Sequence, residues 1–125
     1  MKNLLIVITL VTLTSCSVMK SNNQTKSMEN KNISSLLGDD KAVQTSLLFN
    51  NVDQKVIVLK IQKGQILKEH ISKVPALLIC ISGEGVYTED NGKKVVMKEG
   101  DYLEIPKDIM HAVSANETSE FLLIK

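Results

Sequence analysis

The chain has 125 residues, with 43% hydrophobic side chains, 15 lysines and no arginine against 14 acidic residues, and only two Tyr, two Phe and no Trp. This length allows one domain with a modest core, and no repeat at a fixed period is present, which excludes solenoids and propellers. The near-neutral charge and the four aromatic residues (Phe49, Tyr87, Tyr102, Phe121) exclude a basic nucleic-acid surface with stacking platforms, and the lack of arginine removes the side chain best suited to bidentate carboxylate or phosphate recognition.

Lys2 followed by an apolar run over 4–13 and the small residues Thr14 and Ser15 has the layout of a secretory leader. A run of this length is too short for a helix to cross a hydrocarbon layer about 30 Å thick, so cleavage is expected rather than permanent spanning. The tetrad Leu13-Thr14-Ser15-Cys16 resembles a bacterial lipobox, which implies lipidation of Cys16 with chains such as palmitate. Acyl chains contribute about 0.8 kcal/mol per buried CH2, and stable attachment takes more than one chain. The partner so implied is membrane lipid, and the implied location is the bacterial cell envelope. Ser17 does not resemble the aspartate that retains such proteins in the inner membrane, which favours the outer membrane in a Gram-negative cell. Residues 1–15 are thus read as leader, 16–38 as a lipidated, disordered linker rich in Ser, Asn, Lys and Gln, and 39–125 as the folded domain. With Cys16 lipidated, Cys80 has no intrachain disulfide partner.

After the polar tether, 33–40 is compatible with a short helical turn capped by Ser34 or Ser35 and closed by Gly38. Beyond it the pattern becomes short apolar or alternating runs, predicting strands over 43–49, 56–61, 66–69, 76–81, 85–88, 93–97, 102–105, 111–114 and 121–124. Asp53-Gln54, Lys63-Gly64, Asp90-Asn91-Gly92 and Glu99-Gly100-Asp101 are turn chemistry between them. Gly64, Gly83, Gly85, Gly92 and Gly100 are expected at turns that need positive φ, and Asp108 is expected to tolerate left-handed geometry. No strong amphipathic helix competes, so the fold class is all-β, a sandwich or barrel. The run Lys55–Ile61 is apolar on both faces. One face is expected to meet the interior and the other a partner subunit, predicting a homodimer.

Two spaced motifs carry the most information. The first runs Gly64, His70, Ser72, Ala76, Gly83, and the second runs Gly100, Pro106, Asp108, His111, Ala115. With the stretch Lys98-Glu-Gly-Asp-Tyr-Leu-Glu-Ile-Pro106, they resemble the paired motifs of cupins. The match is to small single-domain members in which a histidine is followed by Pro-Ala, an apolar strand and a glycine turn, as in His70 to Gly83 here. The resemblance implies a jelly-roll β-barrel. It also implies that His70 and His111 face the lumen, while Ser72 and Ala76 occupy positions where metal ligands stand in other cupins.

Strand alternation puts Ala76, Leu78 and Cys80 on one face. The candidate ligand pocket is therefore His70, Ser72, Ala76, Leu78, Cys80, His111 and Val113. A transition metal could be held by His70 and His111 with the Cys80 thiolate as third ligand, since imidazole and thiolate suit zinc, copper, iron or nickel. Ser72 is a poor substitute for imidazole and Ala76 has no donor atom. The reading that follows is a lipid-anchored cupin that binds a small molecule in the barrel without obligatory metal or other cofactor, and without an assigned catalytic residue. The alternatives are a metal-dependent oxygenase or isomerase built on His70 and His111, and a non-catalytic envelope interaction module. Glu69 and Glu104 alternate with inward positions and are expected to face solvent.

Overall fold

A computed structural model describes residues 28–125 and, upstream of them, Ser15 and Ser17. Residues 1–14 of the leader, Cys16 and residues 18–27 of the linker read from the sequence lie outside the described residues.

The described residues form nine strands: β1 (Val43–Asn50), β2 (Lys55–Ile61), β3 (Ile66–His70), β4 (Ala76–Ser82), β5 (Glu84–Glu89), β6 (Lys94–Lys98), β7 (Tyr102–Ile105), β8 (His111–Ala115) and β9 (Ser119–Ile124). Each corresponds to a strand expected from the sequence, with ends displaced by at most two residues. They pair antiparallel in two sheets, one ordered β1-β2-β9-β4-β7 and the other β3-β8-β5-β6, which face each other as a jelly-roll barrel. Inward residues of β4 (Ala76, Leu78, Cys80) and β5 (Gly85, Tyr87, Glu89) are buried while their neighbours are partly exposed, so the period-2 pattern is the physical record of the two faces. Leu59, Ile61, Met97, Ile105, Val113 and Phe121 complete the core between the sheets.

Between β4 in the first sheet and β5 in the second, Gly83 is the single linking residue, at φ 80°. A side chain there would run into the Thr118 carbonyl and Ser119, so both conformation and space require glycine. Gly64, Gly92 and Gly100 also have positive φ, and Asp108 adopts φ 61° as expected. Gly85 does not fit the turn expectation: it lies inside β5, paired with Met97 and Ala115, at ordinary φ. Its reason is proximity, since a Cβ would stand 2.7 Å from Phe121 Cζ and 2.8 Å from the Ser114 carbonyl.

Two expectations for the region ahead of β1 are corrected. The turn is a 3-10 helix, Ile33–Ser35, capped by Asn32, whose Oδ1 accepts from Ser34 N–H at 2.9 Å, and it closes at Leu36 rather than Gly38. An amide oxygen two residues ahead of that N–H reaches it, whereas the hydroxyls of Ser34 and Ser35 already lie within the turn. This segment also belongs to the folded body. Ser34 Oγ donates to Glu120 at 2.9 Å, Lys60 Nζ to Asp39 at 2.6 Å, and Ile33 and Leu37 are half-buried. It therefore lies across the outer faces of β2 and β9. Val58 lies outside the inner core cluster yet is fully buried within the single chain, so that part of β2 does not wait for a partner subunit.

Candidate functional site

The site is built at one end of the barrel by β3 and β8. Ile66 pairs with Ser114 and Leu67 with Val113, but His70 pairs with His111, so the register slips by one residue between Leu67 and His70. Without that bulge His70 would face away from Leu67. With it, Leu67, His70, His111 and Val113 share the inner face, and Glu69 stays in solvent. The imidazoles meet with centroids 4.4 Å apart and planes tilted by 57°. Each ring is aimed by its own backbone: His70 Nδ1 lies 2.8 Å from the Lys68 carbonyl and His111 Nδ1 lies 2.9 Å from the Ile109 carbonyl. His70 is exposed and His111 is 2% exposed, so one ring faces the mouth and the other the interior.

Behind His111 lies a polar row absent from the sequence expectations. Tyr87 stacks on it at 5.4 Å between centroids, and the Tyr87 hydroxyl donates to Glu89 Oε1 at 3.1 Å. Glu89 is buried directly opposite His111 in register, accepts from Asn91 Nδ2 at 2.8 Å, and has Lys93 Nζ at 3.8 Å. The Asn91 hydrogen bond holds the Glu89 carboxyl below its ordinary range despite burial, with Tyr87, Lys93 and His111 adding to the effect. Burial pushes the His111 imidazole below its ordinary value, and the adjacent His70 acts in the same direction. Burial also pushes the Tyr87 phenol well above its ordinary range. His111 is thus held neutral at neutral pH beside an ionised, fully partnered carboxylate. Glu89 was legible in principle, lying two residues beyond Tyr87 on an alternating strand.

An inner cavity of about 50 Å³ opens beside the histidines, walled by Leu59, Leu67, Ala76, Leu78, Ile105, Val113 and Leu123. Six of the seven residues expected to line a pocket do so: His70, Ser72, Ala76, Leu78, His111 and Val113. Through Ile71, Ser72 and Lys125 it adjoins an outer vestibule of about 380 Å³ between the β1–β2 turn (51–55) and the β3–β4 loop (71–74). Ser72 Oγ donates to the Val74 carbonyl, and Asp108 N–H donates to the Ser72 carbonyl at 2.8 Å, which ties this loop to the one leading into β8.

The seventh expected residue, Cys80, is a correction. It points inward as alternation requires, but one inward position beyond Leu78, toward the β4–β5 corner, with Sγ 3.4 Å from the Ser82 carbonyl and 3.8 Å from that of Gly83. It does not line the cavity. Burial raises its thiol pKa, which leaves a protonated core side chain.

A transition metal of the kind bound by other cupins therefore does not fit this donor set. His70 and His111 supply two nitrogens, Ala76 supplies none, the Ser72 hydroxyl is engaged, and Cys80 is elsewhere. Among the described residues no cluster of three His, Cys, Asp or Glu side chains can hold a metal ion.

The two-sheet barrel and its paired histidine strands are the architecture of cupins, and residues 57–124, more than half of the chain, match the family described as Cupin domain. The chain belongs to that family. Among solved structures it is similar to a conserved protein of Streptococcus pyogenes, with 28% identity over 70% of this chain and 75% of that one and a TM-score of 0.61. It is similar to a cupin 2 conserved barrel domain protein of Leptotrichia buccalis, with 27% identity over 73% and 44% and a TM-score of 0.65. It also shares the fold of an RmlC-like cupin of Desulfovibrio desulfuricans, with 21% identity over 78% and 94% and a TM-score of 0.68. No match was found among curated proteins.

Proposed function

We propose that this protein is a lipid-anchored cupin of the bacterial envelope that binds a small molecule in the barrel, with neither a metal nor a catalytic step required. The observation that carries the reading is the apolar cavity beside His70 and His111, joined to a roomier vestibule. A few polar groups set in an apolar concavity fix orientation while the walls exclude water. The loss of ligand atoms at Ser72 and Ala76, beside retained histidines, favours binding over metal chemistry. Elemental analysis of protein purified without chelators is expected to give less than about a tenth of an equivalent of any transition metal, since two imidazoles fall short of the usual three protein ligands. A stoichiometric metal would restore the enzyme alternative.

Anchoring rests on the leader and on Cys16. Metabolic labelling with palmitate is expected to mark the wild type and not Cys16→Ser, which should be lost from the membrane fraction. Labelling of the variant would refute lipidation at that cysteine.

The homodimer is retained, on the five-stranded sheet's outer face. Phe49, Val56, Ile124 and Leu77 are aligned by register in one row, and Leu122, Ile79 and Tyr102 in the next. Phe49 is 52% and Tyr102 73% exposed, and Val56, Leu77, Ile79, Leu122 and Ile124 are only half-buried. A contiguous apolar sheet face of this kind is a surface that association would cover.

A further inference from the structure

The chemistry of the cavity lining narrows what it holds. A backbone carbonyl only accepts, so the ring nitrogens facing the Lys68 and Ile109 carbonyls are N–H donors. In a neutral imidazole the other nitrogen is then a bare acceptor. Nε2 of His111 has no partner in the chain, and among the described residues no fully buried side-chain nitrogen or oxygen lacks one, so this atom opens into the cavity. Ser72 commits its hydroxyl hydrogen to the Val74 carbonyl and keeps only lone pairs to offer. The remaining wall is aliphatic, apart from Lys125, an exposed residue at the rim shared with the vestibule.

We propose that the cavity selects a small neutral alcohol, which donates its O–H to Nε2 of His111 or His70 and packs its aliphatic body against Leu67, Leu78 and Val113. This rests on the lumen-binding reading above and adds the chemical class. A carboxylate would set lone pairs against lone pairs, leaving both sides unsatisfied. An ammonium would satisfy the acceptors but bring a charge into an apolar space that no acidic side chain lines. Glu89, the buried carboxylate behind His111, already has Tyr87, Asn91 and Lys93 as partners. Size agrees: a water occupies roughly 10–15 Å³ on the same measure, so the inner cavity takes a body of a few heavy atoms, and anything longer extends into the vestibule.

Three probes of equal length separate the possibilities: 1-propanol, propanoate and propylammonium, titrated at pH 8 into the purified protein. Imidazole nitrogen shifts and the methyl resonances of Leu67 and Val113 are followed. The expected result is that 1-propanol moves the Nε2 resonances and both methyl groups, with a dissociation constant at least about ten-fold below that of either ion, a gap of about 1.4 kcal/mol. Because His70 is exposed, His70→Phe should fold normally and weaken 1-propanol roughly three- to ten-fold, as loss of one hydrogen bond predicts. Equal or tighter binding of propanoate or propylammonium at the same resonances would overturn the alcohol class while leaving lumen binding intact. No response to any of the three probes would overturn both.

Discussion

At the scale of single residues, burial sets protonation, and protonation sets how stability follows pH. The folded protein holds His111 below the 6.5 of a free imidazole, so around that pH the unfolded chain binds more protons than the native one. Stability should therefore fall as pH drops through about 6.5, and continue falling until the native ring also protonates. Glu89, held below its ordinary 4.5, contributes stability that is present above that value and lost as pH falls beneath it. Urea unfolding should thus give lower stability at pH 5.5 than at pH 7.5, and the difference should shrink in His111→Phe. A profile flat across that interval in the wild type would contradict the burial assigned to His111. Cys80 supplies an independent check. With Cys16→Ser leaving it as the single thiol, it should resist a thiol reagent at pH 8 in the folded protein and react fully in denaturant. Rapid labelling of the native protein would place Cys80 at an accessible surface instead.

At the scale of elements, the turns and one bulge decide where the chemistry lies. Gly83→Ala combines a strained φ with collision against Thr118 and Ser119, so it should cost more than about 2 kcal/mol. Gly92→Ala has the φ penalty alone, with nothing within 4 Å of the added methyl, and should cost roughly 1–2 kcal/mol. Equal losses in denaturant titrations of the two variants would refute the close packing at the β4–β5 corner. The strands were legible because alternation and turn residues agree over short stretches, as in Ala76-Leu-Leu-Ile-Cys-Ile followed by Ser-Gly-Glu-Gly. The inward turn of His70 was legible only through the family resemblance, since alternation from Leu67 puts His70 on the opposite face and the bulge that corrects it has no local sign in Lys68-Glu69. Cys80 misled because alternation fixes the face a residue points to and not its height along the barrel. The covering segment at 33–40 was obscured by its polar surroundings. Its attachment depends on Lys60 and Glu120, partners more than twenty residues away in sequence.

At the scale of the whole molecule, the apolar outer rows and the half-open barrel end assign different roles to different surfaces. Sedimentation of the protein should show a dimer at tens of micromolar. Leu122→Lys should convert it to a monomer while leaving the cavity on the opposite face of β9 intact. A wild type that sediments as a monomer would remove the dimer. Binding in the barrel can be read from a crystal structure soaked with 1,2-propanediol, with anomalous data collected across the first-row transition-metal edges. Organic density is expected between the aliphatic wall and the paired imidazoles, with a hydroxyl within hydrogen-bond distance of Nε2 of His70 or His111 and no anomalous peak. An empty cavity, or a metal ion ligated by both Nε2 atoms, would contradict it.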